Sequence, residues 1–214
     1  MSNPLIRLHG FVSFDRSAKV RWLLTELKLP FENRWLNPEK KENESPEFLK
    51  LNPSGRIPVL EIGDTAIHES GAICAYLGDQ YLDQGFAPAL SSPDRAKYQQ
   101  WMYFAASTLE PLQTRIMIIE DIPAGDFHDE KEASLVADLS GALAALDQGL
   151  SKNSFLIADK FSIADICVSY HLYWLTLWPE LNVAFEKYPR VSSYLDRLRK
   201  MPTAVQAKAF SYPE

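Results

Sequence analysis

Cysteine is scarce in this chain: Cys74 and Cys167 are the only two among 214 residues. Both lie in apolar helical patterns, with no disulfide or metal-ligand spacing, and read as buried free thiols. The four histidines, His9, His68, His128 and His171, show no ligand spacing either. They read as structural or surface residues, and no metal is expected. No apolar run approaches the ~18–20 residues of a membrane span. The opening Met1-Ser2-Asn3-Pro4 lacks the basic-then-apolar order of a signal peptide, so a cytoplasmic location is expected. An excess of basic charge is also missing. Lys and Arg number 22 against 28 Asp and Glu, a net charge of −6, whereas a binder of phosphate backbones is normally basic. Neither nucleic acid nor membrane is an expected partner.

What is present is an ordinary globular composition, 46% hydrophobic and 23% charged, with enough chain for one or two domains. Leu5–His9 alternates as a strand does. Val20, Leu23, Leu24 and Leu27 then fall on one helical face. Leu29-Pro30 ends that helix, and Phe31–Leu36 alternates again. This β-α-β order predicts two parallel strands joined by a crossover helix. Residues 37–50 read as a polar loop with one short helix. Pro58–Ile62 and Thr65–His68 form a hairpin around Gly63-Asp64, and Ser70–Tyr81 is helical. Residues 82–92 lack a period and read as a linker. Everything after is helical: a long helix over Pro93–Ile119 with a kink at Pro111, a second striped by Leu135, Leu139, Leu143, Leu146 and Leu150, and a third opened by a capping box, Ser162 to Asp165. Two short helices, Pro189–Lys200 and Pro202–Ala209, close the chain. The residues alone therefore predict a small α/β domain followed by an all-α domain.

The most informative stretch is 52–70. A turn, Asn52 to Gly55, delivers Pro58 to the start of an apolar strand. Proline cannot donate to a ladder. A cis Ile57–Pro58 bond would turn the Ile57 backbone outward, toward an extended ligand. Glu69-Ser70 stands where a helix begins, at unpaired N–H groups that favour a ligand carboxylate, while Glu69 can hold an ammonium. The plainer readings are a trans proline at a strand edge and a serine capping its own helix.

Asn52-Pro53-Ser54-Gly55-Arg56-Ile57-Pro58-Val59-Leu60, followed by Glu69-Ser70, Ala72-Ile73 and Tyr76-Leu77, resembles the glutathione-binding region of cytosolic glutathione transferases. Lys19-Val20-Arg21-Trp22-Leu23-Leu24 and Leu29-Pro30-Phe31-Glu32 are similar to that superfamily's first helix and second strand. Phe161-Ser162-Ile163-Ala164-Asp165 resembles its helical capping motif. The likeness covers the whole chain and is to the serine-type, bacterial-like members. It implies an α+β protein. A thioredoxin-like α/β domain with a mixed four-stranded sheet spans 1–81, a linker 82–92, and an all-α helical-bundle domain 93–214.

The resemblance also implies roles. Glutathione is the cosubstrate. The backbone at Ile57 and Pro58 would pair with its cysteinyl part, and Glu69 and Ser70 would hold its γ-glutamyl end. Lys41, or Lys40, would approach the glycyl carboxylate, unless both lysines only solvate a loop. Arg56 would serve a ligand carboxylate or the domain interface. The reactive species is the thiolate. Lowering a thiol pKa of about 8.5 by ~2 units takes ~2.7 kcal/mol, which one hydroxyl and the positive end of the first helix can supply. The family places a Tyr, Ser or Cys after the first strand for this purpose. Here the candidates are Ser13 and Ser17, with Arg16 as a cationic alternative and helix capping as the plain reading of both serines. Aligned on Lys19-Val20, Ser13 stands one residue upstream of the family's serine.

An electrophile pocket is expected between the domains, from Phe11 and Val12 on one side and Trp101, Phe104 and Ala105 on the other, with Tyr173 and Trp174 as further candidates. The same aromatic spacing also fits plain core packing. The resemblance further implies a homodimer, a detoxification role and a small hydrophobic electrophile as second substrate. Other glutathione-dependent activities (disulfide reductase, peroxidase, dehalogenase, isomerase) and a non-catalytic interaction protein of the same fold are the alternatives.

Overall fold

The computed structural model describes residues 5–211, so the signal-peptide reading of Met1-Ser2-Asn3-Pro4 lies outside it. The chain forms two compact units. One comprises the described residues of Met1–Ala87 together with Arg199–Glu214, and the other Pro88–Leu198.

The first unit is built on a sheet of order β2-β1-β3-β4, with β1 Ile6–Gly10, β2 Glu32–Trp35, β3 Val59–Ile62 and β4 Thr65–His68. β1 and β2 run parallel, as a crossover helix requires, and β3 lies antiparallel to both β1 and β4. The sheet is therefore mixed and four-stranded. The crossover helix α1 spans Ser17–Glu26, α2 spans Pro46–Leu51 and α3 spans Ser70–Gln80.

Helix α1 is buried beyond its predicted apolar face. Lys19, Arg21 and Trp22 are buried along with Val20, Leu23 and Leu24. The end of the chain accounts for part of this. The Trp22 ring packs edge-on against Phe210 at 5.3 Å, and its N–H donates to Glu26 and to Thr203. Arg21 Nε donates to the Ala207 carbonyl at 3.1 Å. Sequence periodicity assigned the last helix, α10 Pro202–Gln206, to the helical half. Its polar and aromatic partners instead group it with the first unit.

The second unit is helical throughout: α4 Asp94–Phe104, α5 Glu110–Glu120, α6 Asp126–Gly149, α7 Ile163–Leu175, α8 Asn182–Phe185 and α9 Pro189–Arg199. The long helix predicted over Pro93–Ile119 is α4 and α5 joined by a π-helical turn, Ala105–Leu109. The Glu110 N–H bonds the Ala105 carbonyl, five residues back. The irregularity thus falls in the turn before Pro111, where the helix widens into i→i+5 spacing. The leucine stripe of α6 is buried as its period demands.

Helix α7 is apolar nearly all round and is the buried centre of this unit. Its start carries the predicted capping box. Asp165 accepts the Ser162 N–H at 2.8 Å, the Ser162 hydroxyl at 2.8 Å, the Leu156 N–H at 3.0 Å and the Tyr194 hydroxyl at 2.9 Å. Burial pushes the Asp165 carboxyl above its ordinary range, outweighing the four hydrogen bonds that pull it down. Burial, followed by the charge on Asp165, lifts the Tyr194 phenol well above its ordinary value of about 10, which keeps it a proton donor.

Candidate functional site

Sheet register brings the predicted segments of the first unit together. His9 near the end of β1 pairs with Val59 at the start of β3, and Val59 pairs with His68 at the end of β4. Gly10 pairs with Trp35 at the end of β2. The loop after β1, the loop after β2, Ile57–Pro58 and Glu69–Ser70 therefore all meet one end of the sheet.

The Ile57–Pro58 bond is cis, and Ile57 lies outside the ladder, which starts at Val59. The turn before it is braced by Asn52, a buried residue. The Asn52 side-chain amide donates to the Arg56 carbonyl at 2.7 Å, and its oxygen accepts from Ser54 N–H and Oγ at 3.1 and 2.8 Å. Gly55, at φ 65°, supplies the left-handed step, and Asn43 donates to its carbonyl at 2.8 Å. From sequence Asn52 reads only as a turn former. An asparagine directly ahead of Pro53-Ser54-Gly55, whose side chain can bond its own turn, was the available signal. Arg56 is exposed. Lys41 is exposed too, at φ 53° and 3.6 Å from Glu44.

Ser70 does not cap α3. It is the first residue of the helix, and Glu69 holds the cap position without a side-chain cap hydrogen bond. The amides at this end are left for another acceptor. Glu69 has φ 69° and ψ 110°, a region that costs a side-chain-bearing residue about 1–3 kcal/mol. Its side chain is 78% exposed, with the His68 ring 3.9 Å from the carboxylate. Strain held in an exposed carboxylate beside open helix amides makes Glu69 a candidate binding position.

The loop after β1 separates the two serines. Ser17 is fully buried, and its hydroxyl accepts from Arg21 at 3.2 and 3.5 Å. The same guanidinium donates to the Ser13 carbonyl at 2.6 Å and lies over the Trp35 ring at 5.0 Å. Ser13 is half-buried, and among the described residues no hydrogen bond engages its hydroxyl. Neither serine caps α1. Asp15 does the equivalent work, accepting from the Ser17, Phe11 and Val12 amides at 2.7, 2.6 and 3.0 Å. That carboxylate offsets the positive end of α1, so the helix end supplies less to a bound thiolate than sequence reasoning assigned it. From sequence Arg21 reads as one more residue of the helix, and its grip on this loop emerges only in the fold. A cation four residues after Ser17 was the only hint.

Of the residues predicted for the electrophile, Val12 is exposed and Phe11 half-buried in the first unit. Trp101 and Ala105 are buried in the helical unit, and Phe104 is half-buried and meets the Trp101 ring edge-on at 5.1 Å. Trp101 packs so closely on Gly149 that a Cβ there would lie 2.7 Å from its ring.

Comparison with known proteins accords with this geometry. Residues 5–79 match the family model of the glutathione S-transferase N-terminal domain, and residues 119–197 that of the C-terminal domain. A glutathione S-transferase, hmp2, of Hypomyces subiculosus is 30% identical over 96% of this chain and 98% of its own length. Glutathione S-transferase 1 of Schizosaccharomyces pombe is 30% identical over 87% of each chain. A Phanerochaete chrysosporium glutathione transferase, URE2P6, solved in complex with oxidized glutathione, superposes with a TM-score of 0.84 at 25% identity, covering 96% of this chain and 95% of its own. The chain belongs to the glutathione S-transferase family.

Proposed function

We propose that this glutathione transferase binds glutathione across the end of the sheet where Ile57–Pro58, Glu69–Ser70 and the Ser13 loop meet. The register that gathers these segments is the observation that carries the reading. The Ile57 backbone pairs with the cysteinyl part. The Ser70 hydroxyl and the open amides of α3 take the γ-glutamyl carboxylate, and Glu69 takes its ammonium. Lys41 and Arg56 serve the glycyl carboxylate. Ser13 donates to the sulfur, because its hydroxyl is uncommitted whereas that of Ser17 is buried under Arg21. The thiolate then attacks an electrophilic carbon of a small hydrophobic substrate. A carbon–sulfur bond forms, and the leaving group departs with its electron pair. Phe11 and Val12, which directly precede Ser13, contribute apolar contacts to that substrate.

The enzyme is proposed to work as a cytoplasmic homodimer in detoxification. Membership of the family supports this, and among the described residues no helix is long and apolar enough to cross a membrane. Sedimentation at twice the chain mass of 24.3 kDa is expected, and a monomer would remove the dimer. Substitution at Glu69 tests the binding role. Glu69→Gly relieves the backbone and is expected to stabilise the free protein by about 1 kcal/mol. The same change weakens glutathione binding about tenfold by removing the ammonium's partner. Thermal melts and calorimetry read the two effects separately, and a variant that binds as tightly as wild type would take Glu69 out of the site.

A further inference from the structure

The helical unit contains a cavity of about 150 Å³ between α5, the start of α6 and the turn Trp178–Leu181. Its floor is aliphatic: Ile116, Ile119, Leu135 and Leu181 are all buried. A cavity of this size with aliphatic walls accommodates one benzene-sized ring. One wall is the Trp178 indole. The Trp174 ring stacks on Trp178 at 4.2 Å, and the Trp178 N–H donates to Glu120 at 2.6 Å, which fixes the ring.

The rim has one sign. Glu120 and Glu180 are exposed, and Glu132 is half-exposed. His128, 3.9 Å from Glu132, is the other polar lining group, and no lysine or arginine lines the cavity. Three carboxylates above an aromatic wall attract a cation and repel an anion. An apolar floor below them asks for a ring on the same molecule.

We propose that this cavity is a second ligand site, apart from the glutathione-binding segments, and that it takes small arylalkyl ammonium cations. The ring enters among Ile116, Leu135 and Trp178, and the ammonium stays at the rim with Glu132 and Glu180. No covalent step is involved.

Calorimetric titration of the full chain with benzylammonium, benzyl alcohol and benzoate tests it. Benzylammonium is expected to saturate, at least about tenfold tighter than benzyl alcohol, with benzoate not binding measurably. Glu132→Gln with Glu180→Gln, both at the rim and outside the core, is expected to weaken benzylammonium about tenfold and leave benzyl alcohol unchanged. Equal affinity for the three probes would reduce the cavity to an apolar hole and overturn the proposal. So would an unaltered double variant, or no saturable benzylammonium binding up to about 10 mM. None of these outcomes bears on glutathione binding, which is titrated separately.

Discussion

Ser13→Ala is expected to return the thiol of bound glutathione from a pKa of about 6.5 to one of about 8.5. The thiolate fraction at about pH 7 then falls from about three-quarters to about 3%, which lowers kcat/KM about 25-fold at that pH. The size follows from the ~2 units, or ~2.7 kcal/mol, of thiolate stabilisation expected at the site, most of which falls to the hydroxyl once Asp15 has offset the helix end. The expectation is specific to Ser13. Its hydroxyl is uncommitted among the described residues, and its carbonyl is pinned by Arg21, so the loop is held while the side chain is left over. Asp15 already occupies the amides of Phe11, Val12 and Ser17, which leaves the hydroxyl as the main donor toward sulfur. Ser17→Ala should behave differently. It removes a buried acceptor from the Arg21 guanidinium, and the cost, about 1–3 kcal/mol, falls on stability. Ultraviolet absorbance of the bound thiolate against pH, measured with both variants, separates the two serines. A thiol pKa unchanged in Ser13→Ala but raised in Ser17→Ala would reverse the assignment.

Asp165→Ala is expected to cost about 3–5 kcal/mol and lower the melting temperature by about 10 °C or more. Two backbone amides and two hydroxyls lose their shared acceptor in a site from which water is excluded. Tyr194→Phe, which removes one of the four donors, should cost about 1 kcal/mol.

The pH dependence has a definite sign. Burial holds the folded-state pKa of Asp165 above the unfolded value of about 3.9. Its contribution to stability is therefore fully present below about pH 4 and is lost as pH rises through the folded-state pKa. The advantage of wild type over Asp165→Asn, followed by denaturant melts, should shrink as pH rises over that window. An advantage that grows with pH would mean that the four hydrogen bonds outweigh burial.

Strand and helix placement was legible because period and punctuation agreed. Alternation at Leu5–His9, the hairpin at Gly63-Asp64 and the leucine stripe to Leu150 each appear within a few residues of their predicted ends. Pro58, Glu69 and Ser70 were legible as neighbours, because a strand-opening proline and a polar pair that starts the next helix must fall at the same end of a hairpin, as the register shows. What escaped notice depends on contacts far apart in sequence. The burial of Lys19 and Arg21 runs against their polarity, and the Arg21 bond to Ala207 spans 186 positions. The π turn at Ala105–Leu109 is a local choice that Pro111 signals only as a kink. The backbone strain at Glu69 has no sequence signature, since any residue type can be written there, and only φ reveals it.

The binding of reduced glutathione to the full chain, by calorimetry, is the most direct measurement of all. One molecule per chain is expected to bind saturably, with affinity reduced at least about tenfold in Ser70→Ala, whose hydroxyl is a proposed donor to the γ-glutamyl carboxylate. Absence of heat up to about 10 mM glutathione, or undiminished affinity in Ser70→Ala, would contradict a glutathione site at this end of the sheet.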